Sequence, residues 1–174
     1  MSLSDRFSRV RAVVSGPSDL LLSGRMAAWA GLLPVLKRML PLPRLVTLMA
    51  PRHRHAPDER RLVFVVTVAR WLYRTRALRD NCLERSLITY RYLPGGNEDS
   101  RLVLGIRKGE DGPPGHAWLT LRGEPVHDAA TTLEGLVPVV AFDLEGRRCA
   151  VPEAVSPAPP GAPARSRPAP ETSG

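Results

Sequence analysis

The sequence has only two cysteines and few aromatic residues. Cys82 and Cys149 allow at most one disulfide, and the basic segment Met1–Asp19 lacks the apolar run of a secretory signal peptide. We therefore expect reduced thiols in a cytoplasmic protein. Aromatic residues make up 5% of the 174-residue chain, but its apolar content of 43% is ordinary and suffices for one compact domain with appendages.

The sequence also lacks an uninterrupted apolar segment of transmembrane length. The stretch Asp19–Met49 is rich in Leu, Ala and Met, but Pro34, Pro41 and Pro43 are expected to divide it into short helices. Basic residues interrupt it further, whereas a membrane span needs about 20 apolar residues. We expect this helical N-terminal segment, residues 1–57, to pack on the body or on a partner protein. The alternative is a peripheral membrane contact.

Acidic residues are fewer than basic ones, 17 Asp and Glu against 25 Lys and Arg, and the chain carries a net charge of +8. This charge favours acidic partners, namely a membrane surface, nucleic acid or an acidic peptide. An Arg-rich helix is predicted from Asp58 to about Thr75, and Arg70 and Arg74 are our candidate partner-docking residues. His53 and His55 stand in the connector before this helix without further ligands, so we expect no metal there.

Proline dominates the end of the chain. Seven prolines occur in residues 151–174, and this composition predicts a disordered tail. The expected organisation is therefore a helical segment over residues 1–57, a folded domain over residues 58–150 and the tail.

The stretch Asn81-Cys82-Leu83-Glu84 has the pattern of a helix start. Asn81 is a suitable N-cap, and Glu84 stands at the third helical position, where a carboxylate reaches back to the cap. Cys82 would then lie in the first turn, where unpaired N–H groups and the helix dipole favour the thiolate. A small buried hydrophobe is the alternative interpretation of this cysteine.

Alternating apolar residues predict strands after this helix. The expected strands cover residues 101–106, 116–122 and 125–128, and the last two form a hairpin. Residues 137–144 are expected to add an edge strand or a closing element. In the second strand, His116, Trp118 and Thr120 share one face.

Three residues in chain order have the chemistry of thiol acyl transfer. Cys82 is the candidate nucleophile, His116 the candidate base and Asp128 the carboxylate that would orient the imidazole. Asn81 and Trp118 are candidate substrate-binding residues, although Trp118 also suits the core.

Other residues of the same types compete for these roles. His127 is an alternative base and Asp143 an alternative orienting acid. Cys149 lies beside Arg147 and Arg148, which are expected to lower its pKa, but no base follows it.

The motifs Asn-Cys-Leu-x-Arg-Ser-Leu (residues 81–87), Gly-His-Ala-Trp (residues 115–118) and Val-x-Asp (residues 126–128) resemble the peptidase domain of lasso peptide biosynthesis B proteins. The resemblance implies a papain-like or transglutaminase-like α+β fold, in which a cysteine-bearing helix packs on a small antiparallel sheet. It assigns Cys82 as nucleophile, His116 as base and Asp128 as orienting acid.

The same resemblance implies a function. A cysteine endopeptidase of this family removes the leader from a ribosomally made lasso-peptide precursor, without a cofactor, before a separate cyclase closes the macrolactam. Residues 1–60 are too short and too proline-broken for the leader-recognition domain of fused members, so a separate small leader-binding protein is the expected partner. The alternatives are acyl transfer to an amine and a non-catalytic basic adaptor; we expect no nucleic-acid binding.

Overall fold

A computed structural model describes residues 16–51, 58–73, 81–94, 100–107, 115–121, 123–126, 128 and 130–152. The helices, in chain order, are α1 (Pro17–Met39), α2 (Leu42–Met49), α3 (Glu59–Tyr73), α4 (Cys82–Tyr92) and α5 (Ala130–Leu133). The strands are β1 (Arg101–Arg107), β2 (His116–Leu121), β3 (Glu124–Pro125), β4 (Leu136–Phe142) and β5 (Arg148–Cys149). The predicted α+β fold is confirmed. The predicted disorder of residues 153–174 lies outside the described residues.

The first helix is longer than expected. Pro34 was expected to end it, but α1 continues through Pro34 to Met39. A proline removes one backbone N–H donor, and the remaining bonds and the packing of one face hold the helix together. The chain breaks at Leu40, which is extended, and Pro41 caps α2, so the second expected break is correct.

This length changes the membrane assessment of the segment. Over an 18-residue window α1 has a mean hydropathy of 1.2, and 22% of that window is buried. By length and composition, α1 is the one helix among the described residues that could cross a membrane. Because Pro34 does not divide the helix, α1 passes this test of length and composition, as buried core helices and N-terminal signal sequences also do.

One apolar core joins the helices to one face of the sheet. Its fully buried members on α1 include Met26, Ala30 and Leu33. They belong to the same cluster as buried side chains of α2, α3, α4 and the sheet: Leu45, Val46, Met49, Val65, Val68, Leu87, Ile88, Tyr90, Leu102, Leu119 and Phe142. The segment before residue 58 therefore contributes to the core of the body.

The sheet is antiparallel and has the strand order β3-β2-β1-β4-β5. The predicted hairpin is present, with Thr120 opposite Pro125 and Leu121 opposite Glu124. Its third strand ends at Pro125, so Asp128 lies in the loop beyond the strand rather than in it. β4 is an inner strand between β1 and the short β5, and the expectation of an edge strand there was wrong.

The second face of the sheet is covered as well. Val103, Trp118 and Ala141 form a smaller cluster with Leu133 and Leu136, which follow from α5 into β4. This is why four successive residues of β2 are buried instead of alternate ones.

Gly105 marks the tightest approach within the sheet. The pairing of β1 with β4 shifts register between Leu104 and Gly105. A Cβ at Gly105 would lie 2.7 Å from the carbonyl oxygen of Val137 and 2.8 Å from the Trp118 ring. The absence of a side chain here leaves room for the Trp118 ring beside the strand.

Two Gly-to-Ala variants should change stability in opposite directions. Gly105→Ala should lower the free energy of unfolding by about 1–3 kcal/mol, because backbone and a buried indole must move. Gly31→Ala in α1 meets nothing within 4 Å and should raise it by roughly 0.5–1 kcal/mol. Urea unfolding followed by circular dichroism measures both. Equal stabilities for the two variants would contradict the packing at Gly105.

Candidate active site

The first turn of α4 is organised by its N-cap. The Asn81 side-chain oxygen accepts the backbone N–H of Glu84 at 3.5 Å, as the sequence predicts. The Glu84 carboxylate accepts the side-chain amide of Asn81 at 3.0 Å, and Lys37 of α1 donates to the same oxygen at 2.8 Å. Glu84 is 3% exposed, so this buried carboxylate ties α1 to the helix start that bears Cys82.

His116 and Asp128 form the second part of the site. Nε2 of His116 lies 3.3 Å from Oδ2 of Asp128. The side chains are 17% and 9% exposed, so the pair is largely shielded from water. The carboxylate therefore fixes the ring orientation and favours the charged imidazole.

Cys82 contacts the same imidazole. The imidazole of His116 and the backbone of Ala117 and Leu83 lie close enough to the Cys82 sulfur to lower the pKa of its thiol. Because Nε2 of the ring faces Asp128, Nδ1 is the nitrogen that remains for the sulfur. Ser86 of α4 donates to the Ala117 carbonyl at 2.9 Å and so fixes the start of β2 against the cysteine helix.

These contacts change the acidities of both groups. Burial raises the pKa of the Cys82 thiol, but the hydrogen bonds from His116, Ala117 and Leu83, with the His116 charge, lower it below its usual value. The hydrogen bond to Asp128, followed by that to Cys82, raises the pKa of His116 to about 9. Between the two pKa values the stable form is a thiolate beside an imidazolium, which is the reactive state of cysteine nucleophiles.

Arg85 belongs to the site but was given no role from the sequence. Its guanidinium donates to Oδ1 of Asp128 at 2.9 Å, leaving Oδ2 for His116. Arg85 stands three residues after Cys82 on α4, hence on the same side of the helix. That spacing is the signal that could have identified it. One helix thus presents the thiol and holds the carboxylate.

The residues predicted to bind substrate or partner differ in their exposure. Trp118 is 1% exposed, and its ring stacks near His116 with centroids 6.2 Å apart. We assign it to packing beneath the imidazole, because so buried a ring cannot line a substrate cleft. Asn81 is half-buried and acts as the helix cap, and its contact with substrate remains a prediction. Arg70 is exposed on α3, and Arg74 lies outside the described residues.

The two competing residues that the structure describes, Asp143 and Cys149, lie away from this site. Asp143 accepts backbone N–H groups of Glu145 and Arg147 in the turn between β4 and β5, so it caps that turn and does not orient His116. His127 lies outside the described residues. Both cysteines are free thiols. Burial raises the pKa of Cys149, against expectation, and the Arg101 guanidinium 3.5 Å from its sulfur only partly offsets this.

An α+β fold with a thiol at a helix N-terminus, held against an imidazole and a carboxylate, defines the cysteine peptidases and acyltransferases. The comparison with protein families agrees with this class. The family model of the transglutaminase-like superfamily matches residues 26–141, more than half of the chain. The chain belongs to this superfamily, which includes cysteine peptidases. Searches of curated proteins and of solved structures gave no significant match.

The pH dependence of Cys82 alkylation should reveal the ion pair. In a Cys149→Ser background, iodoacetamide should modify Cys82 at neutral pH, and the rate should fall as pH drops through the lowered pKa. His116→Ala removes the main contact that lowers the pKa of Cys82 but leaves the thiol buried. The inflection of the pH–rate profile should therefore move to higher pH, and the alkylation rate at neutral pH should drop roughly tenfold. Intact-protein mass spectrometry measures the rate. Superimposable pH profiles of the two proteins would contradict the pair.

Arg85 should affect the reactivity of Cys82 through its hydrogen bond to Asp128. Arg85→Gln removes a charge-assisted hydrogen bond of about 1.5–3 kcal/mol, so His116 loses its fixed orientation. Neutral alkylation of Cys82 should slow about tenfold. Arg85→Lys, which keeps the charge, should lose less. Arg70→Gln on the exposed face of α3 is the matched control, and an Arg85→Gln variant as reactive as this control would remove Arg85 from the site.

Proposed function

We propose that this protein is a cysteine endopeptidase that removes the leader from a ribosomally made lasso-peptide precursor. The observation that carries the proposal is the set Cys82, His116 and Asp128, joined by hydrogen bonds and embedded in the three motifs quoted from the sequence. The membership of the superfamily supports thiol acyl chemistry. The leader substrate is supported by the resemblance of the motifs.

The reaction begins with the thiolate of Cys82. Sulfur attacks the carbonyl carbon of the scissile bond, and the backbone N–H of Cys82, at the start of α4, stabilises the developing oxyanion. The His116 imidazolium gives its proton to the leaving amine, which departs as the new N-terminus of the core peptide. The leader remains as a thioester on Cys82.

Water completes the cycle. Neutral His116 takes a proton from water, whose oxygen attacks the thioester carbonyl, and Cys82 leaves as a thiolate. The products are a leader with a free carboxylate and a core peptide with a free amine. Asp128 stabilises the imidazolium in both halves, and Arg85 keeps the carboxylate in place.

The proposed reaction sequence requires two further proteins. A small leader-binding protein would present the precursor, and a cyclase would use the amine released by the peptidase to form the macrolactam. The exposed Arg70 of α3 is a candidate contact for the acidic part of the leader or of its carrier. We place the reaction in the cytoplasm, where the precursor is made.

A second candidate is acyl transfer from the same thioester to an amine. The superfamily to which the chain belongs, described as transglutaminase-like, favours it. Mass spectrometry of the products formed without an added small amine distinguishes the two. A peptidase yields leader with a free carboxylate, whereas a transferase yields a cross-linked or aminated product with its own acceptor.

Three variants test the proposal with precursor and leader-binding protein present. Cys82→Ala should abolish cleavage because no thioester can form. Asp128→Asn should reduce kcat by up to about 10⁴-fold, the loss found when the same change is made in a serine triad. Cys149→Ala is the matched control and should cleave normally. Chromatography and mass spectrometry of the peptides give the rates, and cleavage by Cys82→Ala would sink the proposal.

A further inference from the structure

One face of α1 is apolar although nothing in the described structure covers it. Met26, Ala30 and Leu33 point into the core and are fully buried. The exposed surface of α1 carries five large apolar side chains that are 45–73% exposed: Leu20 62%, Leu21 72%, Leu32 45%, Val35 52% and Met39 73%. A surface helix normally has charged or polar residues on this side.

The residues between these side chains are small and uncharged. Gly24, Ala28 and Gly31 lie on the same side of α1, and all three are exposed. We call this side, Leu21 to Met39, the outer stripe. At a rise of about 1.5 Å per residue it extends for about 27 Å. It lies on the outside of a single helix and is therefore convex.

The borders of the outer stripe carry positive charge only. Arg25 flanks it on one side and Arg38 on the other, and both are exposed. The acidic residue of α1 is Asp19, whose carboxylate lies 3.6 Å from Arg60 of α3. The stripe and its borders therefore combine an apolar surface with two exposed cations, of which Arg25 also lies over the Tyr92 ring, 5.9 Å from its centroid.

We propose that α1 lies on an anionic lipid surface, with the outer stripe among the acyl chains and Arg25 and Arg38 at the phosphates. Long Arg side chains reach the headgroups while their stems remain on the apolar surface. Anionic lipid attracts such cations within a Debye length of the surface. A convex apolar stripe with cationic borders fits this deformable surface.

The structure favours a helix lying on the membrane over one crossing it. Insertion across the bilayer would withdraw Met26 and Leu33 from the core, where both are 0% exposed. It would also separate Lys37 from the buried carboxylate of Glu84, 2.8 Å away. A helix on the surface keeps all of these contacts.

A second copy of the chain fits the outer stripe less well than anionic lipid does. A twofold contact through the outer stripe would place Arg25 and Arg38 of one copy beside those of the other, and no acidic side chain of the stripe opposes them. The lipid proposal goes beyond the proposed function and does not depend on it, because no side chain of the outer stripe belongs to the active site.

The test is sedimentation of the full-length protein with large vesicles. We expect binding to vesicles of phosphatidylcholine with phosphatidylglycerol, little binding to phosphatidylcholine alone, and weaker binding at high salt. Val35→Glu should weaken binding by about tenfold or more, because a carboxylate enters the apolar layer next to anionic lipid. Val139→Glu is the matched control, since Val139 on β4 is 56% exposed and lies outside the stripe.

Three results would overturn the proposal. The first is no binding to the anionic vesicles. The second is equal loss of binding in Val35→Glu and Val139→Glu, with both folded by circular dichroism. The third is a dimer, measured by light scattering without lipid, that Val35→Glu dissociates, since the stripe would then join two copies. None of these depends on peptidase activity, so failure of the proposed function is recognised separately.

Discussion

The contact between α4 and β2 is the constraint on which the catalytic geometry depends. Ser86 of α4 holds the Ala117 carbonyl, and this bond places His116, one residue earlier, at the sulfur of Cys82. Arg85 of the same helix holds the carboxylate that orients the imidazole. Helix and strand must therefore dock in one register for thiol, imidazole and carboxylate to meet. Because three consecutive residues of the first turns of α4 (Glu84, Arg85 and Ser86) make tertiary contacts, a small rotation of α4 would disturb every part of the site.

The N-terminal helix takes part in this arrangement through a buried charge. Glu84 sits at the start of α4, where it forms an ion pair with Lys37 of α1 and accepts a hydrogen bond from the Asn81 side-chain amide. A buried carboxylate is stable only with such donors, so α1 helps to hold the helix start that carries Cys82. Nearby, burial and then the Glu84 charge raise the pKa of Tyr73, which keeps that phenol neutral. The helix that supports the active site on one side exposes an apolar stripe on the other.

Much of this could be predicted because it rests on local sequence. The Asn81 cap, the α4 start at Cys82 and the hairpin of β2 and β3 follow from capping and alternation within a few residues. The sequence failed where distant packing decides the outcome. Pro34 remains helical because one face of α1 is buried, and β4 is an inner strand because β5 pairs with it. Trp118 is covered by residues that follow α5, and the partner of Arg85 stands 43 residues away. Cys149 has a raised pKa because burial outweighs the effect of the close Arg101 guanidinium. Its sequence neighbours Arg147 and Arg148 gave no indication of this burial.

We conclude that His116 is charged at neutral pH because hydrogen bonding to the Asp128 carboxylate, and then to Cys82, raises its pKa to about 9. The group with the raised pKa keeps its proton until pH rises through about 9, and the thiolate persists until pH falls through its own lowered pKa. The most direct measurement is an NMR titration of the ring nitrogens in isotope-labelled protein. The chain has four histidines, so comparison with His116→Ala assigns the signal. The account predicts a His116 midpoint near 9 that falls in Cys82→Ala; a midpoint near 6.5, unchanged by Cys82→Ala, would contradict it.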